Sequence, residues 1–355
     1  MPLPEPRADL ALREGYHSPQ VDVTVRLNTN ESPLPPPPDW LDALTDELRH
    51  IPFNRYPDRS AIGLREALAD FHGVRIGQVF CANGSNEVLQ SLCLAYGGPG
   101  RAAAVFEPTY ALHSHIAHLT STRVVEGQRR PDFSLDVDVV RDVIADSSPS
   151  LTFLCSPNNP TGMSEDRSSV EAVVSYTAGL VVVDEAYGQF SDWSALSMID
   201  DEKPLVVTRT FSKTWSMAAA RLGYLIGPEE VVANLERVAL PYHLDAFKQA
   251  AGRLALKFIG EMEERVGLIV RERQRIAAAL AKLPLTVWPS QANFILFRPE
   301  RKKGNEVWTE LVERSVLVRD TSSWPGLSGC LRVTVGSPAE NDKFLSALKE
   351  VLGDQ

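Results

Sequence analysis

From residue 79 onward, short apolar runs alternate with stretches of helical spacing, and this alternation constrains the fold more than any other feature of the chain. The runs cover residues 79–81, 103–106, 123–125, 151–155, 180–183, 205–208 and 222–226. Strands alternating with helices predict an α/β fold: a mostly parallel seven-stranded sheet lying between layers of helices. In such sheets ligands gather beyond the carboxyl ends of the strands. The residues that directly follow the strands are therefore the ones to search for chemistry.

Either side of this core the texture differs. Nine of the 25 prolines lie in the first 38 residues, ending in Pro35-Pro36-Pro37-Pro38, which predicts an extended arm. Trp40, Leu41, Leu44 and Leu48, then Ile62, Leu64, Leu68 and Phe71, recur at helical spacing. Residues 245–283 are helical in pattern, and Gly252, Gly260 and Gly267 predict interruptions there. Strand-like runs at 292–297, 316–319 and 331–335 precede a final helix, as a smaller α+β domain would. At 355 residues the chain accommodates two domains. The expected division is 1–47 as the arm and part of the small domain, 48–245 as the large domain, and 246–355 as the C-terminal small domain, opening with a long helical connection.

Several function classes are disfavoured. A net charge of −10 repels phosphate backbones, so nucleic acid is not an expected partner. Cys81, Cys93, Cys155 and Cys330 lie far apart with no C-x-x-C spacing, which points to buried reduced thiols rather than a zinc or redox motif. His113, His115 and His118 do not form an i, i+4 ligand set, so no metal is expected. No apolar run approaches membrane-spanning length, and Met1-Pro2-Leu3-Pro4 begins no basic-then-apolar leader. The expectation is a cytoplasmic protein without a membrane partner.

Four stretches after strands carry chemistry. Lys213, alone among the nine lysines, follows a predicted buried strand, flanked by Ser212 and Thr214 with Arg221 eight residues on. Such an amine suits imine formation, whereas an ordinary lysine there would simply be solvated. Asp184 ends the apolar run Val181-Val182-Val183. It is either a paired structural acid or an anion that holds a basic ring nitrogen in its charged form, with the phenol of Tyr187 close by. Asn159 lies in the rigid turn Pro157-Asn158-Asn159-Pro160-Thr161-Gly162, where its amide could donate to a ring oxygen. Asn83-Gly84-Ser85-Asn86 opens a helix after a strand and lacks both dinucleotide and nucleoside-triphosphate spacings. Its backbone N–H groups, with Ser212 and Arg221, suit a single phosphate ester.

Taken in order, N-N-P-T-G, D-E-A-Y and S-K with an arginine eight residues later resemble the fold-type I pyridoxal-phosphate aminotransferases. Arg26-Leu27-Asn28-Thr29-Asn30-Glu31, Asn54-Arg55-Tyr56-Pro57-Asp58, Pro108-Thr109-Tyr110, Leu240-Pro241-Tyr242-His243-Leu244 and Leu331-Arg332-Val333-Thr334 sharpen the likeness to the histidinol-phosphate aminotransferase branch, actinobacterial in character. It covers the chain from about Tyr16 to the end. The resemblance implies pyridoxal 5′-phosphate as cofactor, held as a Schiff base on Lys213. It implies that Asp184 pairs with the ring nitrogen, Tyr187 and Asn159 contact the ring 3-oxygen, and Tyr110 stacks on the ring. Ser85, Asn86, Ser212 and Arg221 would surround the cofactor phosphate, with Tyr56 arriving from the partner subunit of a homodimer.

On the substrate side it implies Arg332 as the carboxylate clamp and places Tyr16, Asn30, Arg319 and Asn159 near the substrate. Arg319 and Tyr16 are the candidates for the substrate's own phosphate. The implied reaction interconverts histidinol phosphate plus 2-oxoglutarate and imidazole-acetol phosphate plus glutamate, in histidine biosynthesis. An aromatic amino-acid aminotransferase or a phospho-amino-acid decarboxylase would share the cofactor residues, and a catalytically silent binding protein would share the fold. Ser32, Pro35 and Ala219 depart from the family pattern.

Overall fold

The computed structural model describes residues 3–5, 7 and 21–353. Its strands in chain order are β1 (Val25–Leu27), β2 (Val79–Ala82), β3 (Ala102–Glu107), β4 (Arg123–Gln128), β5 (Leu151–Cys155), β6 (Leu180–Asp184), β7 (Leu205–Thr210), β8 (Gly223–Ile226), β9 (Leu285–Val287), β10 (Phe294–Pro299), β11 (Val316–Asp320) and β12 (Leu331–Thr334). A seven-stranded sheet runs β2-β8-β7-β6-β5-β3-β4. The pairs β3·β4, β3·β5, β5·β6 and β6·β7 are parallel, while β8 runs antiparallel to both β2 and β7.

β5 and β6 are buried at every residue, as central strands covered on both faces must be. Alternate side chains serve the two faces. Val182 and Val206 pack with Val88, Leu89 and Leu92 of the helix Ser85–Tyr96. Val181, Val183 and Val207 pack with Val140, Ile144, Val170 and Val173, from the helices Val137–Ser147 and Arg167–Tyr176. Toward the β2 edge, Val79, Cys81, Tyr224 and Ile226 meet the helices Pro38–His50, Ile62–His72 and Ala246–Ala255.

The second sheet has the order β1-β11-β12-β10-β9, with β1 parallel to β11 and the other pairs antiparallel. Its core includes residues of the helices Ile259–Leu280, Gly304–Glu313 and Pro338–Leu352, and it reaches Tyr187 and Phe190 beyond β6. The two sheets are thus joined by packing at the place where the site lies.

The segment after residue 245 is, as expected, not one straight helix, but the break falls at Leu256–Phe258, while Gly252, Gly260 and Gly267 all lie inside helices. Gly252 is there for contact, since a Cβ on it would come within 2.4 Å of Leu222 Cδ2. One expectation needs correction: the proline-rich arm is in part a packed element, because Val25–Leu27 adds a strand to the second sheet, with Val25 and Leu27 buried. Three residues are too few to show a strand period, which is why β1 and β9 were not visible in the sequence.

Candidate active site

Asp184 is the last residue of β6 and is 1% exposed. A carboxylate so buried is tolerable only with partners. Its Oδ2 lies 3.0 Å from His113 Nε2, and its Oδ1 accepts from Thr208 Oγ1 at 3.2 Å and from the Ala186 amide at 3.1 Å. His113 is itself fixed, stacked on Phe153 at 4.9 Å and meeting Tyr110 edge-on at 5.4 Å. Sequence spacing gave His113 only a metal-ligand role to be weighed; the available signal was its place one turn after Tyr110, on the face that looks back at the strand ends.

Lys213 follows β7, and its Nζ donates to Thr29 O at 3.1 Å. Burial, and then the positive charges of Arg332 and Arg221, lower its ammonium from the usual 10.5 to about 7, with Glu31 opposing. The amine is therefore substantially neutral, hence nucleophilic, near neutral pH. Because the folded value lies below the unfolded one, the unfolded chain holds the proton between about pH 7 and 10.5, and stability in that window rises with pH. Lys213→Met removes this penalty. In the cofactor-free protein it should be more stable than wild type at pH 6.5, with the gap in urea midpoints narrowing toward pH 10.

The anion cradle lies beside it. The helix Ser85–Tyr96 has no side-chain cap, and Gly84 precedes it at φ 81°. The leading N–H groups therefore face outward with the positive end of the helix. Arg221 Nη1 donates to Ser212 Oγ at 3.3 Å, and a Cβ on Gly84 would sit 3.0 Å from Arg221 Nη2. Gly223, where β8 begins, lets the strand pass under this turn: a Cβ there would lie 2.3 Å from Ser85 N. Gly223→Ala should destabilise the protein by about 2 kcal/mol through overpacking. It should also weaken retention of a phosphorylated ligand, measured by urea unfolding and by equilibrium dialysis.

The remaining wall comes from the second sheet and the arm. Arg332 of β12 is buried; Nη1 donates to Asn159 Oδ1, and Nη2 to Asn28 O at 2.9 Å. Its guanidinium lies 5.1 Å from the Phe294 ring centre. Tyr187 is buried, its hydroxyl accepts from Asn30 Nδ2 at 3.0 Å, and burial raises its ionisation above the usual phenol value. Tyr110 donates through its hydroxyl to Asn86 Oδ1 at 3.4 Å. Together these groups line a cavity of about 420 Å³.

Ser85, Asn86, Tyr110, Asn159, Asp184, Tyr187, Ser212, Lys213, Arg221, Arg332 and Asn30 all line that cavity. Arg319 does not: it is buried on β11, opposite Arg332 in the ladder, with its guanidinium 6.0 Å from the Trp324 ring centre. Tyr56 is 79% exposed and stacks on Tyr242 at 4.5 Å, away from its own chain's cavity. Tyr16 lies outside the described residues. Asn28, Thr29 and Glu31, from the run that sharpened the family likeness, also line the cavity, as do Cys155, Ala186, Thr210, Ala218 and Ala219; none of these was given a site role from the sequence. Chemically, the arrangement can hold a flat ring carrying an aldehyde near Lys213, a basic nitrogen near Asp184 and a phosphate ester at the cradle.

The model of the class I and II aminotransferases matches residues 22–348. A histidinol-phosphate aminotransferase from Frankia casuarinae is 47% identical over 352 residues, covering 95% of this chain and 87% of that one. Its counterpart from Mycolicibacterium smegmatis is 41% identical over 365 residues, covering 98% and 95%. In fold, the chain is similar to the crystal structure of histidinol-phosphate aminotransferase from Sinorhizobium meliloti in complex with pyridoxal-5′-phosphate. That match has a TM-score of 0.85 at 23% identity and covers 93% of this chain and 91% of that one.

Proposed function

The chain belongs to the class I and II aminotransferases, and from that premise we propose that it is a pyridoxal-phosphate-dependent histidinol-phosphate aminotransferase. It interconverts histidinol phosphate plus 2-oxoglutarate and imidazole-acetol phosphate plus glutamate. The observation that carries the chemistry is the convergence of a depressed lysine amine, a buried carboxylate and an anion cradle on one cavity, and the substrate follows the likeness to the histidinol-phosphate aminotransferases.

The residues fit the cofactor. Lys213 would hold its aldehyde carbon, Asp184 its ring nitrogen, Tyr187 and Asn159 its 3-oxygen, and Tyr110 one ring face. Ser85, Asn86, Ser212 and Arg221 would hold its phosphate. When bound, pyridoxal 5′-phosphate supplies an electron-withdrawing ring for the charge left on the substrate's α-carbon. Asp184, held by His113, Thr208 and the Ala186 amide, keeps a proton on the ring nitrogen because an adjacent anion favours the cationic form. Lys213, as a free amine beside the substrate's α-carbon, would remove and return the proton there, and burial with Arg332 and Arg221 favours its neutral, basic form. Arg332 presents a planar fork to a substrate carboxylate, and its bond to Asn159 links that event to the ring-oxygen side. Arg319 and Tyr16 remain our candidates for the substrate phosphate.

We read the site as completed by a second copy of the chain. Tyr56 at 79% exposed, Phe53 at 77% and Leu240 at 76% leave large apolar side chains on the surface, as an interface would. Tyr56 would then reach the partner's cavity. The domain division 1–47, 48–245 and 246–355 belongs to the same reading. So does a cytoplasmic location, which four free buried cysteines suit. Among the described residues no helix is long and apolar enough to cross a membrane.

Purified protein should show a visible cofactor band that histidinol phosphate bleaches. Its specificity constant for histidinol phosphate should exceed those for phenylalanine and phosphothreonine by a large factor. Preference for phenylalanine, or release of carbon dioxide from phosphothreonine, would replace the substrate assignment.

A further inference from the structure

Asn30 adopts the left-handed conformation at φ 54°, is 1% exposed and lines the cavity. Each of its polar atoms already has a protein partner. Its N–H donates to Thr334 Oγ1 at 3.0 Å, and its carbonyl accepts from Asn293 Nδ2 at 3.1 Å. Its Oδ1 accepts from the Thr334 hydroxyl at 3.1 Å, and its Nδ2 donates to the Tyr187 hydroxyl oxygen at 3.0 Å. In this arrangement Thr334 Oγ1 receives the main-chain N–H and gives its own hydrogen to Oδ1, while Nδ2 points toward the phenol.

The side chain is 1% exposed, with one Nδ2 hydrogen given to the phenol and Oδ1 held by the second sheet, so its orientation is fixed by the protein before any substrate arrives. We propose that Asn30 is a positioning residue rather than a substrate-reading one: anchored by Thr334 and Asn293, it orients the Tyr187 phenol so that the O–H hydrogen faces the cofactor's ring oxygen. The inference rests on the cofactor placement given under Proposed function.

A phenol that accepts a hydrogen bond from an amide must send its own hydrogen elsewhere, and accepting one makes it a stronger donor. Thr334 stands two residues after Arg332 on β12, on the same face of the strand. One strand therefore carries both the guanidinium bonded to Asn28 O and Asn159 and the hydroxyl that fixes Asn30.

The charged and titratable groups around the phenol are Arg332, Cys155 and Asp184, with Lys213 Nζ 5.8 Å from the ring centre. Informative variants leave all four in place. Asn30→Gly keeps the backbone conformation allowed while deleting the amide, and Thr334→Val deletes the anchoring hydroxyl without touching Asn30. The readout is the pH midpoint of the bound cofactor's visible band, titrated without substrate. A weaker donor leaves more negative charge on the ring oxygen and holds the chromophore's proton to higher pH.

Asn30→Gly and Thr334→Val should raise the midpoint by about half to one pH unit, the scale of one lost hydrogen bond. Thr334→Ser should not move it, and Asn30→Gly should add nothing on a Tyr187→Phe background. KM for histidinol phosphate should stay near the wild-type value. An unmoved midpoint with a raised KM would return Asn30 to substrate reading and overturn the inference, as would additive shifts with Tyr187→Phe. If Asn30→Gly fails to fold, Thr334→Val alone decides. No visible band in wild type would remove the functional assignment and this inference with it, an outcome distinct from a band whose midpoint does not respond.

Discussion

Lys213→Ala should lower kcat by about ten-thousandfold, because one substitution removes both the covalent anchor and the base at the α-carbon. The fold should survive. Among the described residues Lys213 Nζ makes a single hydrogen bond, to Thr29 O, and the desolvated amine is a cost to stability rather than a support. Phosphate anchoring should survive too, since the outward N–H groups before Asn86, the Ser212 hydroxyl and the Arg221 guanidinium do not depend on the lysine. Single-turnover kinetics and equilibrium cofactor binding separate the two effects. Turnover within tenfold of wild type would show that another group carries the proton.

Asp184→Asn should cost about a hundred- to a thousandfold in kcat, in the range for removing one preorganised electrostatic group from a dry site. The amide matches the carboxylate in size and still accepts from Thr208 and the Ala186 amide, so stability should change little. What it lacks is the charge that keeps a ring nitrogen protonated. The variant should therefore bind cofactor yet fail to move the α-proton. A variant that loses cofactor, or unfolds, would make Asp184 chiefly a structural partner of His113.

How much of this was visible in the sequence depends on length and on locality. The sheet was legible because β5 to β7 are apolar runs bounded by turn residues, and their last residues had to fall at the functional edge. Lys213, Asp184 and Asn159 could be picked out for that reason alone. His113 could not, because its partner lies on a distant strand and its side chain matters only once the helix Leu112–Leu119 has docked on the sheet. The same holds for Thr334 and Asn293, whose roles depend on the arm passing beside β12. Arg319 occupies the strand position opposite Arg332, but its guanidinium lies 6.0 Å from the Trp324 ring centre, a direction that strand position alone does not give.

The reversed direction of β8 also has a practical consequence. Since β8 starts at the edge where β7 ends, Lys213 and Arg221 are held together by a short return that the Phe211 amide and the Leu222 carbonyl close at 3.0 Å. In the proposed function that return spans the residue that would hold an aldehyde and the one that would hold a phosphate. In chimaeras or loop grafts, residues 211–222 should therefore travel as an indivisible cassette that accepts no insertion. The Gly97–Arg101 loop, at the opposite end of the sheet, should by contrast accept extra residues with kcat unchanged.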